Sequence, residues 1–498
     1  LSARKVLLGV SGSWLLTFTR VASGLVTTRL YFHFLDPKLL GAWMLFLSMS
    51  GFLLVTDLGM AMVFSRELAF SVGKKKGPVG LGLEPGDLYA SINRIYWALG
   101  AAVFVAGGAL GCWYLGSLGL GDALASARLA WLVYALGACL VLAASTPNYA
   151  LQGLGDLGIE ALANVVATLG ALGATLLALE LGGGMLSMAC IFLAQAGITR
   201  LSLSWLLRRR HAWLFQKPGR YKKGALQLVL KETLPLFATR LGALFVFQIN
   251  PMLIASAMGV EALPNYAVLV TLASYGIQIC LALPQSLMPF VSAKQSAGDT
   301  EGIRRLLLLC VKSGMAMALA YAIGVALWAG PLLELWLGPG HDLGFGVLGF
   351  LLLSALLEFH HSIHALFSFS MGDWPFAKSA LAAGVLNVGL VFLGLKIFGL
   401  PGAAAGSMAA QLATNNWYVV AFTLKNMGLK FHRYAGAALL PLGLLALALA
   451  AFGAGLKALH CGPVLGGLSL AALAAFLGWR ALLSLPERLL FSSRWMKK

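Results

Sequence analysis

Long apolar runs alternate with short polar segments from one end of this chain to the other. Bounded by Gly, Pro or charged residues, they predict fourteen helices, at about 6–35, 41–66, 89–118, 127–152, 158–180, 184–207, 232–259, 262–293, 303–329, 343–370, 376–398, 402–424, 435–457 and 463–485. Each run approaches or exceeds the roughly 20 apolar residues needed to cross a hydrocarbon core. The predicted fold class is an all-α polytopic membrane protein. The first run is too long for a cleavable signal peptide.

Composition agrees with this reading. Of 498 residues, 59% are hydrophobic and 11% charged, against about 25% charged in a soluble protein. Too few polar residues remain to cover a water-facing surface, which excludes a soluble enzyme and a nucleic-acid-binding domain. The net charge of +18 therefore needs another explanation, and the placement of the basic residues supplies it. Arg4 and Lys5, Lys74 to Lys76, Arg208 to Lys223, Arg304 and Arg305, Lys425 to Arg433 and the Arg494 to Lys498 tail all fall on one predicted face. The other face has only Lys38, Arg128, Lys396 and Lys457. Cytoplasmic loops carry the excess of Lys and Arg, so both termini of an inner or plasma membrane protein are expected in the cytoplasm. The basic segment before the seventh span is expected to lie along the membrane surface, drawn to anionic lipid. The six cysteines are scattered with no metal-ligand spacing or disulfide framework, and no metal or other cofactor is expected.

The chain also resembles itself at an offset of roughly 215–228 residues. Thr19-Arg20 recurs as Thr239-Arg240, Arg94 aligns with Lys312, and Ala150-Leu151 with Gly155-Asp156 matches Ala365-Leu366 with Gly372-Asp373. Asn164 parallels Asn387, and Ala194-Gln195 parallels Ala410-Gln411. A six-helix unit has both ends on one side, so two copies run parallel, an arrangement common in transporters. The expected organisation is an N-lobe at 1–210, a basic cytoplasmic linker at 211–231 and a C-lobe at 232–428. Helices 13 and 14 with the tail follow at 429–498, and the two lobes are expected to flank a central cavity.

Ionisable groups at bilayer depth cost roughly 2.5–3.5 kcal/mol each on insertion scales, so they face a cavity or a partner. Arg20 belongs to a stripe of Ser13, Thr17, Arg20, Gly24 and Thr27 at steps of three and four, which puts them on one helix face. Two readings fit Arg20: the wall of a hydrophilic lumen, or an ion pair with Asp57. Arg240, its repeat mate, is assigned to the lumen. Arg29 and Arg200 fit either a lumen or snorkelling to an interface, and Lys312 fits a lumen or a buried structural role. Asp57 and Glu358 are the expected intramembrane acids. Glu358, His361 and His364 follow at steps of three, with His360 beside them. The glutamate precedes the histidines, so this is not the metalloprotease arrangement. It fits either proton coupling or a buried hydrogen-bonded cluster.

Several stretches resemble a known family. Phe34-Leu35-Asp36-Pro37 leads into Leu40-Gly41-Ala42-Trp43, and Asp57-Leu58-Gly59-Met60 precedes Arg66-Glu67-Leu68-Ala69. Leu287-Met288-Pro289 with Ala297-Gly298-Asp299, Leu335-Trp336-Leu337-Gly338 and Phe398-Gly399-Leu400-Pro401-Gly402-Ala403-Ala404 continue the likeness. Over helices 1–12 the chain resembles the polysaccharide-transport flippases of the multidrug/oligosaccharidyl-lipid/polysaccharide exporter superfamily. The resemblance implies export of an undecaprenyl-pyrophosphate-linked oligosaccharide, such as an O-antigen repeat unit, driven by a gradient of H+ or Na+. It implies membrane lipids and other polysaccharide-assembly proteins as partners. Arg20 and Arg240, with Lys312, Arg29 and Arg200, then become candidates for binding the anionic headgroup. Glu358, His361, His364 and Asp57 become candidates for ion coupling. A cation-drug exporter or a lipid II flippase of the same superfamily are the alternatives. A glycan polymerase would need a large outer loop, and no predicted loop is large enough.

Overall fold

The computed structural model describes residues 3–54, 57, 60–72, 83–222, 233, 237–341, 344–372 and 375–482. Among the described residues there is no strand. Twelve helices are long and apolar enough to cross a membrane. The protein is therefore an all-helical, multi-pass membrane protein. Two features reconcile those twelve with the fourteen predicted spans. The run from Ala377 to Asn426 passes through a non-helical residue at Gly399 (φ 63°, ψ −143°), and α1 (Ala3–Phe34) is a further helix of 32 residues.

Contacts divide the chain after Pro264 into two units. In the first unit, α1 is followed by α2 (Pro37–Leu54) and α3 (Met60–Val72), which divide the second predicted span with Asp57 between them. Then come α4 (Pro85–Gly116), α5 (Leu124–Ala143), the short α6 (Thr146–Gly153), α7 (Leu157–Glu180) and α8 (Met185–Arg210). The last helix of this unit is α9 (Phe237–Met258), with a turn at Gln248 just before Pro251.

Small residues set these contacts. A Cβ on Gly41 would sit 2.0 Å from the Val260 carbonyl oxygen, and one on Gly111 2.0 Å from the Trp131 ring nitrogen. Only glycine permits backbones to approach so closely, the usual basis of helix packing in lipid. The Leu40-Gly41-Ala42-Trp43 motif thus has a steric purpose. The described part of the basic linker docks on the start of α4: the Arg220 N–H donates to Asp87 at 2.7 Å and the Lys222 N–H to Ser91 at 2.9 Å.

The second unit holds α10 (Leu263–Ser296), α11 (Thr300–Leu337), α12 (Phe345–Met371), α13 (Ala377–Ala413), α14 (Asn415–Asn426), α15 (Phe431–Ala458) and α16 (Pro463–Leu477). Asp299 caps α11 by accepting from the Gly302 N–H, after a turn at Gly298 (φ 70°). Its hydrogen bond from Lys294, then that from Gly302, hold its carboxyl below the usual range. Within α11 the helix breaks at Trp328 (φ −119°), three residues before Pro331. Proline has no N–H to give the preceding turn and crowds it. The Trp328 indole donates to the Cys461 carbonyl at 2.9 Å, and Gly466 packs against its ring, so the final hairpin is fastened at this break. In α13 the chain reverses at Gly399, whose left-handed φ favours glycine. Gly394 faces Gly402 and Leu390 faces Gly406, the pairing of an antiparallel hairpin.

A Cβ on Gly402 would lie 2.0 Å from the Gly394 carbonyl oxygen, whereas one on Gly455 meets nothing within 4 Å. Gly402→Val should overpack the hairpin at a cost of about 1–3 kcal/mol. It should lower the thermal unfolding temperature of the detergent-solubilised protein by several degrees, and Gly455→Ala should not. Equal unfolding temperatures for the Gly402 variant and wild type would contradict the packing.

Candidate functional site

The face of α1 expected to be polar borders its packed face. Gly12, Leu16 and Ser23 are buried; Thr17 and Arg20 are exposed, with Gly24 and Thr27 half-buried. The side chain of Ser13 lies outside the described residues. On a third side, Phe18, Ala22, Leu25 and Arg29 form an exposed stripe at steps of four, three and four. Arg29 therefore stands among outward apolar side chains rather than on the face of Arg20.

Helix register places Arg20 and Arg200. α1 runs parallel to α7: Gly12 meets Gly158 and Ala161, and Leu16 clusters with Ala161 and Val165. Four residues further, Arg20 stands near the level of 165–168. α7 and α8 form a hairpin joined by residues 181–184, so Arg200 stands at the level of Val165. A groove of about 580 Å³ between them, lined from Ile159 to Ala174 and from Ile191 to Leu206, fits that register. Arg20 and Arg200 thus flank α7 at nearly one height. Glu160, about 8 Å lower along the helix at 1.5 Å per residue, interacts electrostatically with both. Its carboxylate accepts from Asn164 Nδ2 at 2.8 Å. The Nε of Arg200 is buried without a hydrogen-bond partner among the described residues.

The charges continue through Tyr149, which feels both Arg200 and Asp57. Asp57 is buried, accepts from the Tyr96 hydroxyl, and lies 3.7 Å from Arg240 on α9. Arg240 keeps about half of its side chain exposed. Arg20, Glu160, Arg200, Tyr149, Asp57 and Arg240 therefore form one polar chain through the first unit, with three guanidinium groups and two carboxylates. Sequence reading did not single out Glu160, which falls in the first turn of the span expected at 158–180. The signal was its spacing of four from Asn164, both on one face of the helix.

The second unit holds the tenth-span cluster. His361 Nδ1 lies 3.3 Å from Glu358 and its Nε2 3.2 Å from Asn415. His364 is fully buried and turned elsewhere: its Nδ1 approaches the His360 carbonyl at 2.9 Å and its Nε2 has no hydrogen-bond partner among the described residues. His360 Nε2 lies 2.6 Å from the Tyr434 hydroxyl on α15. The structure thus joins Glu358 to His361 and places His364 with His360 and Tyr434. Lys312, on α11, is buried.

A family model described as "Polysaccharide biosynthesis protein" matches residues 123–341. No curated protein matches significantly. Among solved structures the chain is similar to a multidrug resistance MATE family transporter of the MOP superfamily, with TM-score 0.68 at 17% identity, covering 85% of this chain and 98% of that one. It is also similar to the lipid II flippase MurJ, with TM-score 0.66 at 13% identity, covering 95% and 99%. A MOP superfamily transporter from Pyrococcus furiosus, described as having a binding pocket of reverse polarity, gives TM-score 0.60 at 17% identity, covering 85% and 94%. The fold is that of the MATE and MurJ proteins.

Proposed function

We propose, from the support that the family match and the shared fold give to a polysaccharide-transport family within the MOP superfamily, that this protein is a flippase for lipid-linked oligosaccharides. It carries a polyprenyl-pyrophosphate-linked glycan, an O-antigen or other polysaccharide repeat unit, from the cytoplasmic to the outer leaflet by alternating access. The observation that supports this reading most is the excess of guanidinium groups over carboxylates in the polar chain of the first unit. Arg20 and Arg240 are exposed and bind the pyrophosphate, with Arg200 behind them. Guanidinium groups form charge-assisted, often bidentate bonds to phosphate oxygens, and a diphosphate cannot enter hydrocarbon without such partners. Exporters of cationic drugs call for the opposite sign of lining. On the positive-inside pattern, both termini lie in the cytoplasm of a bacterial inner membrane.

The coupling ion is a proton taken up by the Glu358–His361 pair, within hydrogen-bonding distance inside an apolar span. Asp57 is the alternative carrier. Partner polysaccharide-assembly proteins follow from the same reading.

In reconstituted vesicles supplied with a pyrophosphate-linked glycan, Arg20→Ala and Arg240→Ala should each reduce flipping at least about tenfold at normal membrane levels, an effect of the size expected for charge-assisted bonds. Because Arg240→Ala also removes a cation beside Asp57, Arg240→Lys serves as the second variant. It keeps the charge, loses the fork and should retain part of the activity. Wild-type flipping in both alanine variants would refute the site.

Glu358→Gln should leave the protein folded while making flipping insensitive to an imposed pH gradient. A full response to the gradient would move the coupling group elsewhere.

A further inference from the structure

Glu160 is a carboxylate that the transport reading does not use. It is buried, on the side of α7 between the groove shared with α8 and the face packed on α1. Arg20 from α1, Arg200 from α8 and Asn164 from its own helix act on it, and Tyr149 from α6 acts on Arg200. Tyr149 links onward to Asp57, Tyr96 and Arg240. At the start of α7, Asp156 is already taken by His211 and Arg210.

Neither arginine closes on Glu160. Among the described residues no ion pair joins it to Arg20 or Arg200, although both act on it electrostatically. Arg200 even leaves its buried Nε without a hydrogen bond among the described residues. By helix register the positions of Arg20 and Arg200 lie about 8 Å beyond that of Glu160 along α7, a spacing that suits an anion held above the carboxylate.

We propose that Glu160 is a built-in competitor for the substrate's phosphate, an affinity-limiting residue that keeps the Arg20–Arg200 pair from holding a diphosphate too tightly to release. This rests on the reading that Arg20 belongs to the headgroup site. With Glu160 ionised, two arginines and one carboxylate leave a local charge of about one positive unit to meet a diphosphate of at least two negative units. Loss of the carboxylate charge, by protonation or substitution, gives the anion both arginines. Binding of the anion and protonation of Glu160 therefore favour each other, because each relieves the repulsion that the other meets. A transporter gains nothing from a ligand it cannot release, so a site with a fixed internal anion turns over faster than one without it.

The test measures binding of farnesyl diphosphate to the purified full chain in nanodiscs at pH 8.0 and pH 5.5. The expected result is that Glu160→Gln binds about tenfold tighter than wild type at pH 8.0, a change of the order produced by removing one charge at such a distance. Its affinity also depends less on pH than that of wild type; the ligand's own protonation affects both proteins alike. Glu160→Asp restores the wild-type pH profile, and flipping by the Gln variant is slower despite the tighter binding. Affinity and pH profile unchanged in Glu160→Gln, while Arg20→Ala binds weakly, would overturn the competitor role and leave the headgroup site standing. Weaker binding by Glu160→Gln would also overturn it, because the carboxylate would then be positioning the arginines. Wild-type binding by Arg20→Ala would remove the headgroup site itself.

Discussion

The constraint on which the first unit depends is the cost of charge in hydrocarbon. A guanidinium at bilayer depth cannot be left to itself, and Arg20, Arg200 and Arg240 all stand in this unit. The fold meets the cost by setting two carboxylates and a tyrosine within electrostatic reach of them, from Arg20 on α1 to Arg240 on α9. The compensation is incomplete: two of the three arginines remain exposed, and the third keeps a buried donor without a hydrogen-bond partner among the described residues. A scaffold built only for stability would have paired them fully or replaced them with apolar side chains. An unfinished network with positive charge in excess is what a site for a transient anion requires.

The helices that hold this chain are positioned by small residues rather than by polar bonds. Gly12 lets α1 settle on Gly158, and that contact sets the register that brings Arg20 to the height of Arg200. Gly41 does the same for α2 against the loop at Val260, beyond the helix that carries Arg240. In lipid there is no hydrophobic drive between apolar helices, so close backbone approach supplies much of the attraction. A glycine in these places therefore acts on charges that it does not touch.

Much of the fold was legible in the sequence because a membrane span is a property of one segment. The runs ending near 398 and beginning near 402 were separable from residue pattern alone, since Gly399 and Pro401 punctuate them. The division of the second span around Asp57 was not, because its apolar run reads straight through. The site was legible in part. Spacing identified the Arg20 stripe, and the same spacing, applied outward from Phe18, sets Arg29 on a different side. Spacing also allied His364 with Glu358, but tertiary contacts override it: Tyr434, 70 residues downstream of His364, gathers His360 and His364. Glu160 escaped because only tertiary packing, of α1 along α7 and of α8 back against it, brings it near two arginines.

The most direct test of the account is an electron cryo-microscopy structure of the full chain in nanodiscs with a polyprenyl-pyrophosphate-linked glycan bound. The account predicts phosphate density within hydrogen-bonding distance of the Arg20 guanidinium, with Arg240 or Arg200 completing its coordination and the sugars extending away from the apolar faces. Headgroup density elsewhere, with Arg20 and Arg240 lacking any contact to phosphate, would contradict it.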